Sequence, residues 1–138
     1  MIGLDTNILA RYYVRDRGDA EAERQHEAAR RLLESGEPLA VCETVLLELE
    51  WVMRGYYGFS PPQIADVMRH LLSLSHVVVQ NRERVAQAVS HASAGLDFAD
   101  ALHLVSYRDC ESLASFDDRR FARRARRMNL APRVFVPV

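Results

Sequence analysis

Short apolar runs alternate with stretches in which apolar residues recur at helical spacing along the whole chain. Runs of three or four apolar and β-branched residues are typical of buried strands, whereas a repeat every third or fourth residue predicts amphipathic helices. The predicted strands cover residues 2–4, 39–42, 76–79, 113–116 and 134–136. This alternation predicts an α/β fold in which helices cover both faces of a mostly parallel sheet of four to five strands.

Local signals mark where several helices begin. Asp19 is placed to cap one helix, and Ser60 precedes Pro61 with Gln63 three residues after the cap, which is the pattern of a capping box. Gly36 is predicted to stop the helix that Asp19 starts. These signals depend only on neighbouring residues, so they locate helix ends independently of the rest of the fold.

The helix after the second predicted strand has an apolar stripe that includes Val45 and Val52. Glu48 falls between them, so we expect its carboxylate to face inward and, because an unpaired buried charge is costly, to require a cation. Glu50 precedes Arg54 by four residues, a spacing that predicts a solvated ion pair.

The first predicted strand leads into three polar residues, Asp5, Thr6 and Asn7. Ligands of open α/β sheets bind at the carboxyl ends of the strands, so this carboxylate, hydroxyl and amide are candidate site residues. Capping of the following helix is an alternative role for Asp5, because Asp is a good N-cap residue.

Further acids lie at the ends of later elements. Asp97 is predicted to cap a helix whose first turn contains Asp100. Asp117 follows the fourth predicted strand, and we expect Asp118 to cap the next helix, which leaves Asp117 free for chemistry. For His103, one helical turn after Asp100, packing is preferred over a role in orienting a ligand.

We expect Asp5, Glu48, Asp100 and Asp117 to converge on the carboxyl edge of one sheet. Two unit charges about 4 Å apart repel by about 4 kcal/mol at an effective dielectric constant near 20, so the four acids must hold either protons or a metal ion. Because the donors are all oxygens, the favoured ion is Mg²⁺ or Mn²⁺, which suits phosphodiester chemistry.

Length and charge add a second candidate feature. At 138 residues the chain is expected to form a single domain over residues 1–138. Its formal net charge of −1 hides six Arg and no acid among residues 119–127. A basic patch of this kind either binds a nucleic-acid backbone or forms a solvated helix face. The candidate RNA-binding residues are Arg119, Arg120, Arg123 and Arg124.

The cysteines and the N-terminal sequence indicate the cellular compartment in which we expect the protein. Cys42 and Cys110 are the only two cysteines, and their apolar sequence neighbours predict buried, reduced thiols. The N-terminus lacks a signal-peptide pattern and no apolar run is long enough to span a membrane, so we expect a cytoplasmic protein with no membrane partner.

Four aromatic residues follow one another closely near the end of the third predicted helix: Trp51, Tyr56, Tyr57 and Phe59. Core packing is one explanation. A groove for a partner helix or for a second copy of the chain is the other.

The motifs L-D-T-N-I-L, E-T-V-L-L-E-L-E-W-V, D-F-A-D-A-L-H-L and L-A-S-F-D, taken together and in this order, resemble a PIN domain. The closest resemblance is to the VapC-type ribonuclease toxins of bacterial toxin–antitoxin pairs, and it covers essentially the whole chain. It implies a three-layer α/β/α fold around the mostly parallel central sheet.

The resemblance assigns residues position by position. The family's four acids match Asp5, Glu48, Asp100 and Asp117, which would be both catalytic and metal-binding. The supporting residues would be Thr6, Asn7, Asp97 and Ser115, where Ser115 replaces the usual Thr and keeps the hydroxyl.

The resemblance also implies an activity and partners. These are a Mg²⁺- or Mn²⁺-dependent endoribonuclease that leaves a 5′-phosphate and a 3′-hydroxyl, a homodimer, and inhibition by a small VapB-type antitoxin whose C-terminal segment lies in a groove. Two alternatives stay open: an RNA-processing PIN nuclease without an antitoxin, and a PIN-like module that binds nucleic acid without cutting it.

Two other folds that gather acids are excluded. A receiver domain needs a Lys to read its phosphorylated Asp, and this chain contains no Lys. A phosphatase of the haloacid dehalogenase class needs an Asp two residues after its nucleophile, where this chain has Asn7.

Overall fold

The computed structural model describes all residues, 1–138. The chain divides into two compact units, Met1–Arg82 and Glu83–Val138, which we call the first and the second unit. None of its helices combines the length and the apolar character needed to cross a membrane.

The first unit contains three strands and four helices. The strands are β1 (Ile2–Gly3), β2 (Leu39–Val41) and β3 (Val77–Val79), which form a parallel sheet in the order β1-β2-β3. The helices are α1 (Thr6–Tyr13), α2 (Ala20–Leu33), α3 (Glu43–Gly55) and α4 (Pro61–Ser73). Because the strands are parallel, β1 and β2 both lead from the same edge of the sheet into α1 and α3.

The predicted helix starts are confirmed. Asp19 accepts hydrogen bonds from two backbone amides in the first turn of α2. At the start of α4, Ser60 and Gln63 form the capping box, and Pro61 occupies the first helical position. Such caps satisfy amides that have no partner inside the helix.

The prediction of a buried first strand is wrong for Ile2, whose side chain is 44% exposed. Strand β1 stands at the end of the strand order and pairs only with β2. The central strand β2 is buried instead, with Leu39 and Val41 at most 1% exposed. Only Leu4, directly after β1, delivers its side chain to the core.

The inward face of α3 differs from the predicted stripe. The buried residues are Leu46, Leu49, Glu50 and Met53, and Glu48 is exposed. At 3.6 residues per turn, Glu48 lies about 160° around the helix from both Leu46 and Glu50. The predictions of an inward Glu48 and a solvated Glu50 are therefore both wrong.

Glu50 is buried together with its predicted partner. Its side chain is 8% exposed, and Arg54 Nε donates to Glu50 Oε1 at 2.8 Å. The predicted i,i+4 pair thus exists, but its acid lies on the core side of α3. The Arg54 guanidinium compensates the charge of the buried Glu50 carboxylate. Without this partner, burial of the charged carboxylate would destabilise the fold.

The second unit combines helices with a strand pair. Its elements are α5 (Arg82–Ser93, whose first residue ends the first unit), α6 (Phe98–Ser106), β4 (Ser112–Ala114), a π-helical turn (Asp118–Ala122), α7 (Arg123–Arg127) and β5 (Arg133–Phe135). Strands β4 and β5 pair in parallel. The predicted α/β class is confirmed, all five predicted strands are present, and every strand pair is parallel. Their hydrogen bonds form a three-stranded and a two-stranded sheet.

The prediction of buried thiols is wrong for both cysteines, which are exposed. Cys42 directly follows the buried Val41 at the end of β2, and successive side chains of a strand point to opposite faces. Its sulfur lies 3.2 Å from the Thr44 hydroxyl at the start of α3. Cys110 lies in the connection between α6 and β4, outside any regular element.

The register of α3 can be tested with two neighbouring leucines. Leu46 is 1% exposed, whereas Leu47 is only partly buried. We expect Leu46→Ala to lower the free energy of unfolding by about 2–5 kcal/mol, because it leaves a cavity in the core. Leu47→Ala, the matched control, should cost about 1 kcal/mol or less. Urea unfolding followed by circular dichroism measures both, and equal losses would contradict the observed register.

Candidate active site

In the first unit a buried hydroxyl connects Asp5 to Glu48. Asp5 caps α1, and its Oδ1 accepts a hydrogen bond from Thr6 N at 2.8 Å. The Thr6 hydroxyl donates to Glu48 Oε1 on α3. Thr6 is 6% exposed, whereas both carboxylates are exposed. The buried hydroxyl therefore orients the Glu48 carboxylate next to the end of β1.

The capping and site roles of Asp5 are compatible. Its Oδ1 serves the start of α1, while the residue as a whole remains exposed beside an open groove. Helix N-termini carry a partial positive charge that stabilises a carboxylate at this position. Capping therefore fixes the orientation of Asp5 without removing it from solvent.

An open groove of about 700 Å³ begins at Asp5 and Glu48. Asn7 lines it close to the two acids, and Trp51 and Tyr56 line it farther along α3. Sequence reasoning identified the acids and Asn7 as candidates. It left the role of the aromatic residues open between core packing and a groove.

Core packing is the wrong interpretation for Trp51 and Tyr56, which are 63% and 79% exposed. Tyr57 and Phe59 are only partly exposed. Single exposed apolar side chains are common, but neighbouring exposed apolar side chains that line one groove are typical of a binding surface. The two exposed rings thus extend the candidate site beyond the acids.

Arg11 is a lining residue that sequence reasoning missed. Its Nε donates to Gln25 Oε1 at 2.8 Å and its Nη1 to the Tyr57 hydroxyl at 3.4 Å. Both acceptors are neutral, so neither of them neutralises the positive charge that the guanidinium brings to the groove. The available signal was its position on α1, one turn after Asn7, which places both side chains on the same helix face.

In the second unit, hydrogen bonds position three acids. Asp97 caps α6, and its Oδ1 accepts from Asp100 N at 3.1 Å. Asp117 N donates to Ser115 Oγ at 3.1 Å, and Asp117 Oδ1 accepts from Arg120 N at 3.0 Å. The predicted cap role of Asp97 and the first-turn position of Asp100 are therefore confirmed.

Asp100 is the acid with the strongest electrostatic signature. Burial, followed by the negative charges of Asp97 and Asp117, raises the pKa of its carboxyl to about 6. The positive charges of His103 and Arg124 oppose this shift only in part. Asp117 thus contributes to this shift through its charge, after burial and Asp97. A perturbed carboxyl beside other acids is typical of a functional site.

His103 is exposed, so the prediction that it packs in the core is wrong. It lies one turn after Asp100 on α6, and its positive charge lowers the pKa of that carboxyl. Its position follows from α6, whose core-facing residues are its immediate neighbours Leu102 and Leu104.

The predicted roles of Asp117 and Asp118 are partly reversed. Asp117, rather than Asp118, caps the π-helical turn. Asp118 Oδ2 instead accepts from Arg123 Nη2 at 2.7 Å. Asp117 nevertheless remains exposed, and π-helical turns are rare features that often occur at functional sites.

The four candidate RNA-binding arginines are all exposed but differ in their contacts. Arg123 pairs with Asp118, and Arg124 Nη1 donates to Gly95 O at 3.2 Å. Arg119 and Arg120 form no salt bridge, so their guanidinium groups have the fewest competing partners for a phosphate.

The donor chemistry suits a hard divalent cation. No three acidic, histidine or cysteine side chains are arranged as ligands of one metal ion in the structure. The candidate donors are carboxylate oxygens, the atoms that Mg²⁺ and Mn²⁺ prefer. A cation near Asp100 would also relieve the repulsion that raises its pKa. The residues therefore fit such an ion by donor type and charge.

Comparison with known families gives a match over nearly the whole chain. The PIN domain model matches residues 2–127, a span that includes every acid discussed above. A search of curated proteins found no match. With the parallel α/β fold and the positioned acids in place, this family match shows that the chain belongs to the PIN domain family.

Proposed function

We propose that this protein is a Mg²⁺- or Mn²⁺-dependent endoribonuclease that acts as the toxin of a toxin–antitoxin pair. PIN domains are generally nucleases that bind nucleic acid and use divalent metals, so the family supports the reaction class. The observation that carries the proposal is the pair of exposed carboxylates, Asp5 and Glu48, that Thr6 positions at one groove, and the raised pKa of Asp100 beside other acids supports it. Such an arrangement costs stability at neutral pH unless a cation compensates it.

The proposed metal-binding and catalytic residues are Asp5, Glu48, Asp100 and Asp117. When bound, the ion would activate water and neutralise charge that develops on the phosphate. Thr6 holds the Glu48 carboxylate, and the Ser115 hydroxyl accepts from the backbone amide of Asp117. Asn7 would support the neighbouring acids with its amide, and the negative charge of Asp97 contributes to the raised pKa of Asp100.

The proposed reaction is hydrolysis of an RNA phosphodiester. The water oxygen bonds to phosphorus, the bond from phosphorus to the 3′-oxygen breaks, and the leaving oxygen takes a proton. The products are a 5′-phosphate and a 3′-hydroxyl. Arg119, Arg120, Arg123 and Arg124 would hold the RNA backbone through its phosphates.

The toxin role rests on the similarity of the four motifs to VapC-type toxins. It implies a homodimer in the cytoplasm, and a small VapB-type antitoxin that inhibits it. An RNA-processing nuclease with the same chemistry is the alternative. Expression of the chain alone separates the two, because a free toxin arrests growth whereas a processing enzyme is tolerated.

Asp100→Asn tests the catalytic proposal. We expect it to lower the rate of RNA cleavage with Mn²⁺ by at least about 100-fold, because it removes a charged ligand, and to abolish growth arrest. Asp109→Asn, at an exposed acid outside the proposed site, is the matched control and should cleave normally. Cleavage of a labelled RNA and culture density are the measurements. Full activity of Asp100→Asn, or no cleavage by the wild type, would contradict the proposal.

Stability against pH tests the charge on Asp100. Its folded-state pKa of about 6 lies above the ordinary value of 3.8, so the native state loses stability as pH rises through this interval. In metal-free buffer we expect Asp100→Asn to be more stable than wild type at pH 7.5 and to lose most of this advantage at pH 4. Thermal unfolding measures both. The opposite trend would show that Asp100 is stabilised as an anion.

Metal binding has its own signature in the same assay. Mg²⁺ at a hundredfold excess over its dissociation constant should raise the free energy of unfolding of the wild type by about 2.7 kcal/mol. The gain should be much smaller for Asp100→Asn. An unchanged melting temperature of the wild type across the titration would count against the metal site.

Arg119 and Arg120 test the RNA interface. Each substitution to Ala should weaken RNA binding for all sequences and reduce the slope of log affinity against log salt concentration by about 1. Arg17→Ala, at an exposed arginine of the first unit without a salt bridge, is the control. Filter binding at several salt concentrations gives the slope. Unchanged slopes would assign these arginines to a solvated helix face.

A further inference from the structure

We propose that Trp51 and Tyr56 form a stacking platform for unpaired bases of the RNA substrate. The inference rests on the proposed nuclease function, which it deepens by assigning two positioning residues and a base-binding subsite. The platform would hold the bases that lie next to the phosphodiester at the acidic end of the groove.

The platform and the two acids line the same groove. Trp51 follows Glu48 by three residues, and Tyr56 lies directly after the last residue of the helix. With a rise of 1.5 Å per residue, the two aromatic positions lie about 4.5 Å and 12 Å along the axis from Glu48. Both rings line the groove that also contains Asp5 and Glu48. In the proposed binding mode, a strand that enters at Tyr56 passes Trp51 before it reaches Glu48.

Each ring has a close neighbour in the chain and still remains exposed. The nearest neighbour that a Cβ at Gly55 would meet is the Trp51 ring, at 3.9 Å, so the indole lies over the glycine one turn later on α3. Tyr56 packs edge-to-face on Tyr57, with ring centroids 4.8 Å apart. Trp51 and Tyr56 nevertheless remain 63% and 79% exposed. Aromatic side chains have few rotatable bonds, so such exposed rings lose little conformational entropy when a base stacks on them.

The remaining lining favours a nucleic acid over a purely apolar partner. Arg11 brings a cation whose side-chain acceptors, Gln25 and Tyr57, are both neutral. This cation suits a phosphate. Aromatic faces with a neighbouring cation are the usual means by which proteins bind single strands with little sequence preference. Asp5 and Glu48 would repel the backbone alone, but the proposed divalent ion compensates them.

Stacking on this platform requires unpaired bases. A base within a duplex already has neighbours on both faces, and unstacking it costs a few kcal/mol. Loops and single strands present free faces. The platform would therefore favour cleavage next to unpaired nucleotides and would discriminate weakly among the four bases.

Trp51 is the only tryptophan in the chain, so its fluorescence reports directly on the platform. The assay titrates Asp100→Asn protein, which leaves RNA intact, with a single-stranded oligoribonucleotide. A duplex of the same sequence and a single strand with abasic positions serve as comparison ligands. Wild-type protein in EDTA repeats the titration with every carboxylate in place and without the compensating ion, so its quenching should be weaker but should rank the three ligands in the same order. We expect strong quenching with the intact single strand and little with either comparison ligand.

Substitutions then separate stacking from other contributions. Trp51→Ala should weaken binding of the single strand by about 5- to 150-fold, and Tyr56→Ala by a similar or smaller factor. Trp51→Phe should restore most of the affinity, since it keeps an aromatic face. Tyr107→Ala removes a ring that is 50% exposed in the second unit and is the matched control with unchanged affinity. Anisotropy of a labelled RNA measures all four variants.

The outcomes distinguish this inference from the proposed function. Equal quenching by abasic and intact strands, or unchanged affinity and KM in Trp51→Ala while the wild type still cleaves, overturns the platform and leaves the nuclease. Base-dependent quenching without cleavage by the wild type in Mn²⁺ supports the platform and overturns the nuclease. Quenching by an arginine-rich peptide but not by RNA overturns the platform and identifies a peptide-binding surface.

Discussion

The hydrogen bond from the buried Thr6 hydroxyl to Glu48 is the interaction on which the arrangement of the acids in the first unit depends. Thr6 also donates its backbone amide to Asp5, so one residue fixes two carboxylates that come from different parts of the chain. Because Thr6 is buried, water does not compete with Glu48 for its hydroxyl. Val has nearly the same shape as Thr but no hydroxyl, so it could pack at this position but could not bind Glu48. The hydroxyl of Thr6 is therefore what the interaction with Glu48 requires.

Capping and chemistry turn out to be complementary roles for the aspartates. Asp5, Asp97 and Asp117 each cap a helical segment through Oδ1. Each cap fixes the side chain at the positive end of a helix while the second carboxylate oxygen stays available. Sequence reasoning treated the cap as the alternative to a functional role, and it assigned the cap of the π-helical turn to Asp118 to free Asp117. The structure shows the cap on Asp117 itself.

Features that depend on neighbouring residues were predictable, and features that depend on helix phase were not. The capping box at Ser60 and the five strands follow from local pattern. On α3, apolar residues surround Glu48 as well as Glu50, so the sequence is compatible with two inward faces, and only packing selects the one with Leu46. The same ambiguity left the position of Trp51 open between the core and a groove. The raised pKa of Asp100 could not be predicted from the sequence either. It depends on how deeply the carboxyl is buried and on how its charge interacts with Asp97 and Asp117, and both follow from the tertiary structure.

The position of Asp100 on α6 explains how the fold accommodates a partly buried acid whose charged form is destabilised. Five of the nine residues of this helix are buried, and Ala101 and Leu104 are fully enclosed. Burial of apolar surface contributes about 25 cal/mol per Å², so the helix stays docked even though one carboxyl in its first turn repels its neighbours. The packing that secures α6 also partly buries Asp100, which is the largest cause of its raised pKa. Packing of α6 on the core therefore destabilises the charged form of Asp100. The same packing also contributes the stability that offsets this effect.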